Sequence, residues 1–253
     1  MISNESKNIS VITATFNAAN TINNLVESLR KQTDQNFKWI VVDGMSTDNT
    51  LEIVRKQNHQ FNKLIIINEN DFGIYHALNL GIKNCNTEYY IIAGSDDIFY
   101  PDSIANFKKE SSQTNADIIA AKIKINNRVK RSKSSSFFWL YGGEGLVASH
   151  SIATAIKTSS HDRIGMYSNV YPVYADGEFL IKAHLHGLYF SYPEFCAGEF
   201  CTKGISNQNQ LISFTDQFKA FVLNGQNFYI QWLLFNLRVM KWARKIIRNQ
   251  NKR

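Results

Sequence analysis

The feature that most constrains this chain is the alternation of two hydrophobic periods over its first hundred residues. Short β-branched runs, ISVITATF (9–16), KWIVVDG (38–44), KLIIINE (63–69) and YYIIAG (89–94), are separated by stretches with helical spacing. In TINNLVESLRKQ (21–32), Ile22, Leu25, Val26 and Leu29 share one helical face. STDNTLEIVRKQ offers Ser46 or Thr47 as a helix cap, and GIYHALNLGIKN (73–84) reads as a third helix. Such a βαβαβαβ series predicts an α/β fold with a Rossmann-like, mostly parallel central sheet flanked by helices. Ligands of these sheets sit beyond the carboxyl ends of the strands. Every strand here ends in polar residues: Thr15 and Asn17, Asp43, Asn70 and Asp71, then Asp96 and Asp97.

The pair in YYIIAGSDDIFYPDSI (89–104) asks for a reason, because adjacent carboxylates repel unless a cation or a hydrogen-bond network offsets the cost. A hard divalent ion, Mg²⁺ or Mn²⁺, suits them; such ions take one or two carboxylates and complete their shell with substrate phosphates and water. The bland reading is a turn in which Asp96 and Asp97 merely cap the following segment.

The second half is less regular. ADIIAAKIKI (116–125) reads as a strand, NRVKRSKSSS (127–136) as a basic loop, and ADGEFLIKAHLHG (175–187) as a helix. Cysteine is sparse and odd in number (Cys85, Cys196, Cys201), which predicts a reducing compartment and no structural disulfide. The first ten residues carry no apolar stretch of signal-peptide length, so secretion is not expected.

The quoted stretches together resemble the family 2 glycosyltransferases of the GT-A fold, the inverting enzymes of bacterial polysaccharide and lipopolysaccharide assembly. The likeness runs through SVITATFNAANTINNLVESLRKQ, WIVVDGMSTDNTLEIV, NENDFGIYHALNLGI and EYYIIAGSDDIFYPDSI, and continues more faintly through SHSIATAI and YADGEFLIKAHLHG. It implies a nucleotide-sugar-binding half at 1–105, an acceptor-binding half of the same domain at 106–215, and a separate tail at 216–253. It also implies that Ala14, Thr15 and Phe16 lie against the nucleotide base, that Asp43 hydrogen-bonds it, and that Asp71 helps hold the nucleotide. Asp96 would approach the ribose and metal side, with Asp97 the main ligand of Mn²⁺ or Mg²⁺. Asp176 would be the general base that deprotonates the acceptor hydroxyl, with Glu178 as its fallback and His150 on the acceptor side. Departures are visible: Phe72 stands where lysine is common in relatives, Met45 and Asn49 where glycine is frequent, and Ala175 where a glutamate usually precedes the base.

On residues alone, Asp176 reads first as a plain helix cap. Trp139, Tyr141 and GGEG (142–145) suit either a sugar-stacking loop or an aromatic core patch. His76, His161, His184 and His186 have no ligand spacing and default to core or solvent.

The net charge of +7 suggests nucleic acid until it is localised. Beyond Asp216 the chain holds 8 Lys and Arg and no acid, so the excess belongs to the tail. There, Phe228, Trp232, Phe235, Val239, Trp242 and Ile246 form one stripe, and Arg238, Lys241, Lys245 and Arg248 another. A basic amphipathic helix of this kind suits an anionic membrane surface contacted through 228–253, or packs as an ordinary terminal helix. The aspartate-lined strand ends argue against nucleic acid. The sequence therefore predicts a metal-dependent, inverting transferase that moves a sugar from a nucleotide diphosphate sugar, UDP favoured, to a glycan or lipid-linked saccharide. It is expected in the cytoplasm, peripheral on the inner face of the bacterial membrane. The alternatives are a nucleotidyltransferase, which would need the phosphate loop that TFNAANT lacks, and a non-catalytic nucleotide-sugar-binding protein.

Overall fold

The four β-branched runs become strands of one sheet, buried on both faces along the inner three and half-buried along the third run at the sheet edge. In the computed structural model, which describes residues 8–57, 59–61, 63–70, 73–132, 137–200 and 210–250, they are β1 (Ile9–Thr15), β2 (Phe37–Asp43), β3 (Leu64–Asn68) and β4 (Tyr89–Ile92). The intervening helices are α1 (Ile22–Arg30), α2 (Thr50–Lys56) and α3 (Ile74–Lys83). β1 runs parallel to β2 and β4, and β2 parallel to β3. Side chains alternate between two layers. Val11, Trp39, Val41 and Ile91 pack with α1, while Ile12, Ile40, Val42 and Tyr90 pack in the layer that contains α3. Burial on both faces is the condition a parallel sheet imposes, and the near-continuous apolar runs meet it. α3 lies so close that a Cβ at Gly81 would stand 2.5 Å from Cγ2 of Ile12.

The remaining elements are β5 (Ile98–Phe99), α4 (Ser103–Thr114), β6 (Ile118–Ala120), β7 (Lys122–Ile125), β8 (Arg128–Lys130), α5 (Phe138–Tyr141), β9 (Thr154–Lys157), α6 (Ser160–Ile164), α7 (Ala175–Leu185), β10 (Phe190–Ser191), β11 (Cys196–Phe200), α8 (Gln210–Leu223) and α9 (Phe228–Gln250). The main sheet has the order β10-β6-β9-β4-β1-β2-β3, and a smaller one β5-β11-β7-β8. Only β9 opposes its neighbours in the main sheet among the described residues, so the expected mostly parallel α/β architecture is observed.

Two local expectations are corrected. The run 116–125 is two strands in two sheets, because at Ala121 and Lys122 the backbone changes partners, from the Ala153 carbonyl beside β9 to the Phe195 carbonyl beside β11. Neither Ser46 nor Thr47 caps α2, which starts at Thr50; both are drawn into the loop that follows β2. Cys85 and Cys196 are free thiols, as expected, and Cys201 lies outside the described residues.

The tail is helical, and its stripes divide differently from the sequence pattern. Phe235, Val239 and Trp242 are half-buried, whereas Phe228, Trp232 and Ile246 are exposed. Arg238 is not on the solvent-facing basic stripe: its guanidinium turns inward and donates to the Leu140 carbonyl. The reason is a carbonyl left without a helical partner at the end of short α5, to which a cation is the best donor. Gln231 does the same for Trp139 O at 2.9 Å.

Candidate active site

The loops after β1 and β2 are laced together. Asp43, fully buried, accepts from Thr15 Oγ1 at 2.8 Å, from Ser46 N at 2.8 Å and from Ser46 Oγ at 2.6 Å. Asn17 closes the seam: its N–H donates to Ser46 Oγ at 2.8 Å and its Oδ1 accepts from Thr47 N at 2.9 Å. Met45, where relatives often carry glycine, takes φ = 63°, the left-handed region that costs a residue with a Cβ about 1 kcal/mol. This seam leaves Phe16 64% exposed beside half-buried Ala14, an open aromatic face suited to stacking on a base. Asp43 itself orders the loop that frames this face. Asp71 and Phe72 lie outside the described residues.

Beyond β4 the chain turns through Gly94, with Asp97 N donating to Gly94 O at 3.1 Å. Asp97 is fully buried, and its Oδ2 accepts from Gly94 N at 2.8 Å and from the hydroxyl of Ser151. Half-buried Asp96 converges on the same spot. A Cβ built at Gly94 would stand 3.0 Å from Asp96 Oδ1 and 3.2 Å from Asp97 Oδ2, so the two carboxylates meet over a residue without a side chain.

Asp176 is the second residue of α7, where the helix dipole favours negative charge. It is not the cap, a position held by Tyr174. Its Oδ1 accepts from Tyr75 Oη at 2.9 Å and from Gly177 N at 2.8 Å. Burial, reinforced by the neighbouring Asp176 carboxylate, pushes the Tyr75 phenol well above its ordinary pKa, so it remains a donor.

The glycosyl transferase family 2 model matches residues 10–168, a span that runs from the second residue of β1 through β4, the Asp96–Asp97 turn and Ser151. The chain belongs to glycosyl transferase family 2. A relative, the glycosyltransferase GlyA of Streptococcus pneumoniae, is 22% identical over 92% of this chain and 31% of its own length. The chain thus spans about a third of that protein. Among solved structures, S. aureus TarS 1–349 in complex with UDP-GlcNAc superposes with a TM-score of 0.59, at 20% identity over 92% of this chain and 71% of that one. The mannosyltransferase PcManGT from Pyrobaculum calidifontis, in complex with GDP-Man and Mn²⁺, gives 0.63 at 19% identity over 85% of this chain and 63% of that one. These likenesses show the fold.

Within the family 2 framework the other candidates separate. Glu178 turns away from Asp176: it pairs with Lys182 at 3.3 Å, and burial raises its pKa while Lys182 and Asn224 oppose the rise. Two residues along a helix point to different faces, which explains the divergence. His150 precedes Ser151, the residue that donates to Asp97, and its Nε2 lies 2.7 Å from Tyr167 Oη. Trp139 and Leu140 provide carbonyls that anchor α9, while Tyr141 stays exposed.

The residues at Gly94 fit a divalent ion. Among the described residues no three His, Cys, Asp or Glu side chains gather into a cage; Asp96 and Asp97 are hard oxygen donors of the kind Mg²⁺ or Mn²⁺ takes one or two at a time. Sequence reading missed Ser151 and Tyr75. Each lies in a stretch that carried the family resemblance, but nothing in their spacing shows that they reach Asp97 and Asp176 across 54 and 101 residues.

Proposed function

We propose that this chain is a metal-dependent, inverting glycosyltransferase that moves a sugar from a nucleotide diphosphate sugar to a saccharide hydroxyl in cell-surface polysaccharide synthesis. The observation that carries this reading is the convergence of Asp96 and Asp97 over Gly94 at the end of β4, within the span the family model matches. Asp97, with Asp96, would hold Mn²⁺ or Mg²⁺. The ion supplies charge neutralisation to the departing diphosphate. Phe16 and Ala14 receive the base, framed by the Asp43 seam.

Asp176 takes the acceptor proton. Because Tyr75 and Gly177 both occupy Oδ1, Oδ2 is the oxygen left for the acceptor hydroxyl. Attack from the face opposite the diphosphate inverts the anomeric centre in one displacement. UDP is the first nucleotide to test, since TarS was solved with UDP-GlcNAc; GDP comes next, after PcManGT.

The acceptor is a glycan or lipid-linked saccharide presented at the inner face of the cytoplasmic membrane. Support comes from α9, where Trp232, Leu233, Leu237 and Met240 are exposed beside exposed Lys241, Arg244, Lys245 and Arg248. No helix among the described residues is long and apolar enough to cross a membrane, so this surface would lie along it.

The test is nucleotide release from UDP-, GDP- and dTDP-sugars with Mn²⁺, Mg²⁺ or EDTA. Slow metal-dependent release from one donor, lost in Asp97→Ala and Asp176→Asn, is the expected result. Absence of binding to every donor overturns the reading, and binding without turnover alongside a saccharide acceptor overturns catalysis in favour of a scaffold.

A further inference from the structure

Two buried side chains, Tyr75 of α3 and Asp216 of α8, meet at Val173, three residues before Asp176. Asp216 is 2% exposed, and its Oδ2 accepts from Val173 N at 3.1 Å. Burial pushes its carboxyl above the ordinary aspartate range, while the Val173 amide and Lys219 oppose the rise. It is the last acid before the basic tail, yet α8 is built into the domain: Ala220 and Phe221 share one core cluster with Ala175 and Phe179 of α7. Gln217, the next residue, donates to Tyr174 Oη at 3.3 Å.

The Tyr75 hydroxyl lies 3.0 Å from Val173 O and 2.9 Å from Asp176 Oδ1. Both oxygens accept, and a phenol has one proton to give. Burial holds that proton on the phenol. An ionised carboxylate is the stronger acceptor, so the proton turns to Asp176 while Asp176 is charged. Once Asp176 has taken a proton, its Oδ1 is no better an acceptor than the Val173 carbonyl, and the hydroxyl can turn there instead. A buried donor thereby keeps a partner in both states, which avoids the cost of an unmade hydrogen bond. Tyr167, itself 3.0 Å from Tyr90 Oη, together with Tyr174 and His150, also feels the Asp176 charge. Burial favours the neutral form of all three. Asp216 in turn is faced by Lys219 and Tyr171.

We propose that Tyr75 and Asp216 are positioning residues for Asp176: Asp216 fixes Val173, and the Val173 carbonyl and the Asp176 carboxylate share the single Tyr75 proton, which favours the ionised base before proton transfer and leaves it afterwards. The role rests on the glycosyltransferase reading, with Asp176 as the base, and deepens it. It makes α8, which lies beyond the span matched by the family model, part of the framework that prepares the acceptor hydroxyl for attack.

Two measurements test it, and the first needs no turnover. In protein labelled with ¹³C at the aspartate carboxyls, the Asp176 signal should titrate about one pH unit higher in Tyr75→Phe than in the wild type. The sign follows because losing the donor costs the ionised form more than the neutral one. A titration that does not move overturns the proposal, whatever the protein transfers. The second measurement is the kinetics of nucleotide release. Tyr75→Phe should move the acid limb of the kcat/KM profile upward with donor KM unchanged. Asp216→Leu should lower kcat roughly tenfold, again at constant donor KM. Asp216→Asn, which keeps an acceptor for Val173 N but no longer titrates, should recover most of the loss and leave the acid limb in place; a limb that moves with it overturns the proposal. In the Tyr75→Phe background Asp216→Leu should add little, because both act through one hydroxyl, and additive losses overturn the shared role. Asp216→Ala takes the place of Asp216→Leu if the larger side chain prevents folding. A wild type that releases nucleotide from no donor fails the glycosyltransferase reading, and the Asp176 titration still decides the Tyr75 contact.

Discussion

Between β1 and β4 apolar side chains alternate into two buried layers, whereas along α9 Phe228, Tyr229, Trp232, Leu233 and Leu237 stay exposed to solvent. The contrast extends to charge. Asp43 and Asp97 are fully buried and accept from named donors, while Lys241, Arg244, Lys245 and Arg248 are exposed on α9. Buried charge is costly unless paired and so marks chemistry. Exposed apolar surface beside like charges is costly in a different way and marks a surface to be covered. On the function proposed above, the first region would hold the nucleotide sugar and the second would lie along a membrane surface.

If that contrast is right, the largest effects come from the buried carboxylates. Asp97→Ala should lower nucleotide release by on the order of a thousandfold or more, since it removes the ligand of the charge-neutralising ion. EDTA should mimic it in the wild type, and Mn²⁺ should not rescue the variant. Asp176→Asn should lose about a hundred- to ten-thousandfold in turnover while keeping donor affinity, the signature of a lost proton acceptor. A parallel loss of donor binding would place Asp176 on the donor side instead.

Next comes the tail. Replacing Lys241, Arg244, Lys245 and Arg248 by alanine removes about 1 kcal/mol each near an anionic surface, so partitioning onto phosphatidylglycerol vesicles should fall by up to about a thousandfold. Donor hydrolysis in solution should not change. Vesicle binding that survives would mean the basic face of α9 is not what holds the protein there, and a wild type that does not bind vesicles would leave α9 as a packing helix.

Gly81→Ala sharpens the comparison from the core side. The added Cβ meets the β-branched Ile12, and overpacking of this kind should cost about 1–3 kcal/mol in chemical denaturation. The same substitution at Gly225, where no atom lies within 4 Å but φ is +82°, should cost less, about 1 kcal/mol.

The smallest effect is on pH dependence. His150 and His161 have folded pKa values below the ordinary value near 6.5, so the unfolded chain binds more protons below that pH. Stability should be full above about pH 7 and decline as pH falls through 6.5. Melting temperatures of His150→Asn should show a shallower decline than the wild type.

The four parallel strands, the three helices between them and the strand-end position of Asp96 and Asp97 were legible because each rests on local pattern: a period of two or of 3.6, and a charge where an apolar run stops. Asp176 was singled out only through family resemblance, since locally it was indistinguishable from a cap, and its role as base is a proposal. Ser151, Tyr75 and the Tyr90–Tyr167 pair were not legible at all. A tyrosine in a helix and a serine in a loop carry no marker of which distant atom they will meet.

The same division holds for the fold's irregular half. The sequence by itself determined the parallel core and the segregation of positive charge to the tail, because burial on both faces and net charge are written residue by residue. Tertiary structure alone decided that 116–125 would split between two sheets, that Arg238 would turn inward to Leu140, and that Asp176 would accept through Oδ1 from Tyr75. Each of those outcomes depends on a hydrogen-bond partner supplied from far along the chain, and unsatisfied buried donors and acceptors are settled only when the chain has closed around them.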